Sequence, residues 1–250
     1  MKNTEKYTKS AGFTLVEILT VVAIIAILIS ILVPVLARQK INAKAKLARL
    51  DCYTIAQAID SYQMKYIGKN PIGKNLGLYS GGVTLGGDIT FGGKTLNQPS
   101  NADIMIILSA LGELGGNQVN KGHVRNPGKR DYLKAKLTNS KDKPGMGPDG
   151  IYRDPFNNPY VITIDNNGDN KCWDYLYANK QVSGPGGEEI GAHGLIKESR
   201  DHDSNPDTPD IEGYVKRAKV MVWSAGPDRE VSDTDRATAG KNQDNIVGFQ

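Results

Sequence analysis

Residues 13–37 read FTLVEILTVVAIIAILISILVPVLA, from Phe13 to Ala37, with Glu17 the only charged side chain among them. A helix rises about 1.5 Å per residue, so this stretch is about 37 Å long. That is enough to cross a hydrocarbon core of about 30 Å with some tilt. A helix of a soluble core shows an apolar stripe, not an apolar surface all round. The preceding MKNTEKYTKSAG, residues 1–12, is short, polar and lysine-bearing, which suits a leader kept on the cytoplasmic side while the apolar part enters the bilayer. A secretory signal fits badly, because its small cleavage-site residues follow the apolar run, whereas Ala11 and Gly12 precede it here. Flanking charge points the other way: Arg38, Lys40, Lys44, Lys46 and Arg49 after the span outnumber Lys2, Lys6 and Lys9 before it. The leader, not the charge count, carries the orientation.

A carboxylate in a spanning helix costs roughly 2.5–3.5 kcal/mol at the bilayer centre and less towards the interface. Glu17 therefore has two readings. It sits at the headgroup level, or protonated, without a role; or it pairs with a cation. Cleavage after Gly12 would make Phe13 the new N-terminus, with a cationic amine about one turn from Glu17. Within one chain the pair is poorly placed. A neighbouring chain shifted along a filament axis could offer its Phe13 amine to this Glu17 in a low-dielectric setting, selecting both partner and register.

Gly12-Phe13-Thr14-Leu15-Val16-Glu17, followed by the apolar run, resembles the type III signal of prepilins and pseudopilins. The resemblance implies cleavage by a prepilin peptidase after Gly12, methylation of the Phe13 amine and Glu17 as the assembly carboxylate. It also implies a single-pass subunit of the bacterial inner membrane with its body in the periplasm. Pro34 matches the family's helix-loosening proline; by residue chemistry alone it predicts a kink, since proline lacks a backbone donor and clashes with the carbonyl four residues back.

After Pro34, apolar residues recur at near-helical spacing, with Ala43, Leu47, Leu50, Ile55, Ala58, Ile59, Tyr62 and Tyr66 on one face. One helix over 13–66 is expected, ended by Gly68, Pro71 and Gly73. The glycine-rich stretch from Gly68 to Pro99 reads as a surface excursion. A capping Ser100 or Asn101 opens a short helix closed by Gly115 and Gly116. Residues 131–137 form a short element of undetermined type. Tyr160 to Ile164 and Trp173 to Tyr177 read as a hairpin about the turn Asp165 to Asn170. A polar loop covers Asn179 to Gly213, and Tyr214 to Trp223 is the last clear strand. The fold class is α+β: a long N-terminal helix, transmembrane in its first half (13–37), packed on a small antiparallel β-sheet body of the type IV pilin kind. The domains are leader 1–12, helix 13–66 and body 67–250.

DPFNNPYVI, from Asp154, is similar to the DPWGNPY-type segment of the major pseudopilin of type II secretion. VMVWSAGPDREVSDTD, from Val220, and DNIVGF, from Asp244, resemble that family's C-terminal strand and loop. Phe156 and Asn157 stand where tryptophan and glycine are usual, and the glycine-rich stretch and the loop after Asn179 are additional. The resemblance implies a structural subunit that polymerises with its own copies into a helical filament, a periplasmic pseudopilus. Its partners would be the prepilin peptidase, the inner-membrane secretion platform, minor pseudopilins and membrane lipid. The alternative is a type IV pilin of a surface filament for adhesion, motility or DNA uptake, which a basic or aromatic tip and a C-terminal disulfide loop would favour.

Calcium takes six to eight oxygen ligands. Residues Asp165 to Asn170 begin like an EF-hand loop, but Asn170 and Leu176 stand at the sixth and twelfth positions; an Asx-rich turn explains them without metal. The loop with Asp228, Asp233, Asp235 and Asp244 reads by spacing as a solvated acidic loop, and the family resemblance implies structural Ca2+ there, with Asp233, Asp235 and Asp244 foremost. No catalytic set is expected: His123, His193 and His202 are scattered, Ser224 lacks a GxSxG setting, and the glycines from Gly81 to Gly93 match no phosphate-binding pattern. Cys52 and Cys172 have no CxxC partner; they form one disulfide in an exported body or are two buried thiols. A net charge of +4 without a dense basic and aromatic run leads us to expect no nucleic acid partner.

Overall fold

The computed structural model describes residues 12–66, 84–85, 88–93, 99–200 and 211–249. Residues 1–11 of the expected leader, most of the glycine-rich stretch and His202 lie outside the described residues. The chain divides into two compact units, Met1–Ala43 and Lys44–Gln250.

Helix α1 runs from Leu15 to Lys65, 51 residues, and passes through Pro34 without a break. In the first unit every side chain from Gly12 to Ala43 is exposed. An apolar helix that buries nothing in its own chain is stable only where lipid or other helices surround it. Its hydroxyls are already satisfied by the backbone: Thr20 Oγ1 donates to Glu17 O (2.9 Å) and Ser30 Oγ to Ile27 O (2.7 Å).

The second unit is built on the rest of α1. Its strands are β1 (Thr84–Leu85), β2 (Asp88–Phe91), β3 (Gly145–Met146), β4 (Tyr152–Arg153), β5 (Val161–Ile164), β6 (Ile196–Arg200), β7 (Ile211–Val215), β8 (Val220–Ser224) and β9 (Ile246–Val247). Two short α-helices, α2 (Ala102–Leu108) and α3 (Lys180–Ser183), and three single 3-10 turns, at Lys121–His123, Ala192–Gly194 and Gly240–Asn242, complete the described elements. The main sheet is antiparallel with order β1-β2-β5-β8-β9; β3 pairs with β4 and β6 with β7. Successive side chains in a strand point to opposite faces, and here both faces are covered. Ile162, Ile164, Val220 and Val222 join a core with α1 and α2, whereas Val161, Met221, Trp223 and Val247 join a second core with Cys172, Tyr177 and Phe249. Burial on both faces makes β5 and β8 mostly apolar, VITI and VMVW, with the Thr163 hydroxyl met by Asp174 and no polar alternation.

The α+β class is the one expected, but several elements differ. The buried face of α1 is Ala48, Cys52, Ile55, Ala58, Ile59 and Tyr62, while Leu47 and Leu50 are 50% and 60% exposed. The surface-excursion reading fails for β2, whose four residues are buried between β1 and β5. Gly92 closes β2 at φ 81°, where a Cβ would lie 2.2 Å from Tyr160 O, so only glycine fits. The hairpin does not form: β5 pairs with β2 and β8, and residues 173–177 turn around buried Asp174, which accepts Leu176 N–H (3.0 Å) and Tyr177 N–H (3.1 Å). The last strand is two, β7 and β8, and the polar loop contributes α3, β6 and the first residues of β7. Helix α2 stops at Leu108, and Asn101 does not cap it; buried, its Nδ2 donates to Tyr152 O (3.0 Å) and Tyr160 O (2.8 Å).

Candidate functional site

Gly12 and Phe13 precede α1, both exposed, with nothing within 4 Å of a Cβ built on Gly12. Among the described residues the Gly12–Phe13 peptide is thus exposed and lies outside regular structure. Thr14 then opens the helix. Its N–H and its Oγ1 both donate to Glu17 Oε2 at 2.8 Å, and Glu17 N–H donates back to Thr14 Oγ1 at 3.3 Å. This is a reciprocal capping box, in which the first turn's orphan donors are met by a Thr and a Glu three residues on. The T-x-x-E spacing was visible in the sequence and was missed there, because Glu17 was weighed only as a charge. The carboxylate thus lies folded over the N-terminal end of its own helix, next to the residue whose amine cleavage would free. Pro34, exposed in the helix interior, withholds a donor from the carbonyl of Ser30, leaving one weak rung in the ladder.

Residues 7–33 match the prokaryotic N-terminal methylation motif. The N-terminal segment is prepilin-like, and the motif indicates a substrate of prepilin peptidase of the type IV pilin and pseudopilin kind. α1 is the one helix among the described residues long and apolar enough to cross a membrane; with the motif, it fits a membrane-anchored structural subunit that assembles into filaments. The match ends one residue before Pro34. No curated protein matches the chain, and no solved structure does.

The two body segments singled out in the sequence meet at one buried carboxylate. Asp154 Oδ1 accepts from Phe156 N–H (2.8 Å) and Asn158 N–H (2.7 Å), and its Oδ2 from Asn158 Nδ2 (3.1 Å) and Ser224 Oγ. Asn158 Nδ2 also donates to Gly226 O at 2.7 Å. DPFNNPY is thereby tied to VWSAGPD. Phe156 packs with Ala48 of α1 and Ile246 of β9, with Lys44 Nζ 5.4 Å from its ring centre.

The four acidic residues of the C-terminal loop are only partly convergent. Asp228 N–H donates to Asp244 Oδ2 at 2.9 Å, whereas Asp235 Oδ2 accepts Lys241 N–H at 3.0 Å and Asp233 lies exposed, its carbonyl accepting Asn179 Nδ2. Among the described residues no three His, Cys, Asp or Glu side chains form a group that could hold a metal. Yet Asp244 Oδ1 is buried without a hydrogen-bond partner, and burial, with Asp228 alongside, raises its carboxyl above the usual range. Such an oxygen fits a cation completed by carbonyls and water. In the other acidic loop the carboxylates serve the backbone: Asp165 accepts Gly168 N–H (2.6 Å) and Asn170 N–H (2.8 Å).

Ser224 is committed to Asp154, and His193 packs edge-on against the rings of Tyr177 and Phe249. Cys52 and Cys172 are free and buried in different cores. Burial pushes both thiols up, which makes them unreactive.

Proposed function

We propose that the chain is a pseudopilin: cut between Gly12 and Phe13, methylated on the Phe13 amine, and polymerised into a periplasmic pseudopilus that drives type II-like protein secretion. The observation that carries this reading is the methylation motif at the start of a helix that is largely apolar up to Ala37 and exposed all round up to Ala43, and whose first turn holds Glu17 in a capping box. On assembly the carboxylate exchanges its Thr14 donors for the cationic amine of a neighbouring subunit, a stronger partner in a low-dielectric filament core. Pro34's missing rung lowers the cost of local unwinding as helices adjust to one another. The resemblance of the Asp154–Ser224 segments to the major pseudopilin supports the secretion assignment over a surface pilus. The same reading gives the C-terminal loop a structural Ca2+ held through Asp244 and Asp228, with Asp233 and Asp235 nearby in sequence.

Intact-mass measurement tests processing. Protein from cells with the peptidase should begin at methylated Phe13, and protein from cells lacking it at Met1. A chain that still begins at Met1 in the presence of the peptidase refutes the proposal. Filaments found outside the cell rather than in the periplasm would favour a surface pilus.

A further inference from the structure

Between Lys121 and Lys143 the chain carries eight Lys and Arg residues against Asp131 and Asp142 only. The net charge of this loop, +6, exceeds the +4 of the whole chain, so the rest of the protein is close to balanced. Averaging over the full sequence conceals the concentration. Lys129, Arg130, Lys134, Lys136, Lys141 and Lys143 are all exposed, and none is paired with a carboxylate among the described residues.

The loop has almost no regular secondary structure, yet its first part, Asn120 to Arg130, is held in one shape by buried polar side chains. Asn120 and Asn126 are fully buried. Asn120 Nδ2 donates to Leu111 O (2.7 Å), and its Oδ1 accepts the N–H groups of Arg125 (3.0 Å) and Asn126 (3.1 Å). Asn126 Nδ2 bridges Ile107 O (3.0 Å) and Arg130 O (2.7 Å). Tyr62 of α1 donates to Arg125 O at 2.6 Å, and Tyr66 donates to Asn126 Oδ1 at 3.3 Å. A loop whose only task is to stay hydrated needs no such frame. A pre-shaped, predominantly basic surface lowers the ordering cost of binding an anionic partner and speeds the encounter.

Two features select the chemistry of that partner. Val124 and Leu137, in the same basic stretch of chain, stand 72% and 64% exposed, and an apolar side chain gains nothing from a phosphate or sulfate polymer. The aromatic ring that a nucleobase would need is covered: Tyr132 is half-buried with the Arg130 guanidinium 5.4 Å from its centre. We propose that the 121–143 loop docks a protein partner through an acidic segment that also carries apolar side chains, the acids meeting the lysines and the apolar groups meeting Val124 and Leu137.

The test uses the full chain in detergent and three fluorescent probes: a 16-residue peptide of alternating Glu and Leu, a 16-residue all-Glu peptide, and a 16-base-pair DNA duplex. Anisotropy should show the Glu/Leu peptide binding at least fivefold tighter than the all-Glu peptide, and weakening as salt rises. K134E/K136E should weaken both peptides at least tenfold, while Leu137→Ser should weaken only the Glu/Leu peptide. Tighter binding of the duplex than of either peptide, or Glu/Leu binding unchanged in K134E/K136E, overturns the proposal.

Discussion

Replacing Asp154 by Ala tests whether the junction of the two body segments is held by that carboxylate. The substitution deletes the acceptor for two buried backbone donors, Phe156 N–H and Asn158 N–H. Of the two side-chain donors, Asn158 Nδ2 keeps Gly226 O, whereas the Ser224 hydroxyl keeps only the Gly226 N–H that it accepts and loses its own acceptor, so the two backbone donors set a lower bound on the loss. A buried donor left without an acceptor costs about 1–3 kcal/mol, so two orphans amount to roughly 4 kcal/mol. For a body of this size each kcal/mol moves Tm by about 2–4 °C, and a fall of roughly 8–16 °C is expected. Trp223 is a fitting probe, being fully buried in β8 beside Ser224; its fluorescence in the full chain in detergent should report the transition. Asp154→Asn keeps one oxygen for the two N–H groups but turns an amide donor towards Asn158 Nδ2 and Ser224, so an intermediate loss should result. A fall under about 3 °C for Asp154→Ala would refute the reasoning.

Other perturbations address the N-terminus, the metal and pH. Glu17→Ala should leave cleavage after Gly12 largely intact while sharply reducing incorporation into filaments; a normal filament yield would remove the charge-pairing argument. Thr14→Val removes one side of the capping box, worth about 1 kcal/mol, and amide exchange at Glu17 should rise about fivefold; an unchanged rate would mean the box is not formed in the membrane. Chelation of Ca2+ should lower the body's Tm, and a midpoint indifferent to chelator would eliminate the loop site. Asp88, buried and beside Asp165 and Asp169, has its carboxyl pushed up to about 7 by burial, despite accepting N–H groups from Trp173 and Asn166. The folded state therefore holds this proton over a range in which the unfolded state has lost it, and its contribution to stability falls as pH rises from about 4 to about 7. Asp88→Asn should flatten that slope in melts at pH 5 and pH 7; an undiminished slope would exclude Asp88 as its source.

The membrane helix was legible because twenty-odd apolar residues with one charge have few other stable fates, and β5 and β8 because VITI and VMVW are short runs rich in β-branched and aromatic residues, buried on both faces. β2 was not, since four residues among glycines carry too little periodicity to reveal a place inside the sheet. The hairpin was misread because the Asx turn after β5 looks the same whether the chain returns as a strand or bends around a buried Asp174. Leu47 and Leu50 were placed on the inner face by their near-helical spacing, but the buried stripe runs through Ala48, Cys52, Ile55, Ile59 and Tyr62, and both leucines lie off it. The partial convergence of Asp228 and Asp244 could not be inferred from spacing, because the residues between them lead away and return.

Within the second unit α1 is joined to its surroundings at well-separated levels. Ala48 meets Phe156, Asp51 accepts from Tyr160, Cys52 faces Gly248 where a Cβ would come to 2.5 Å, and Tyr62 reaches Arg125. From Ala48 to Tyr62 is about 21 Å of helix. Tension applied along that axis is shared by all these attachments at once, as in a lap joint loaded in shear, and none can be peeled away before the others yield. A subunit drawn by its helix thus carries its body as a rigid load.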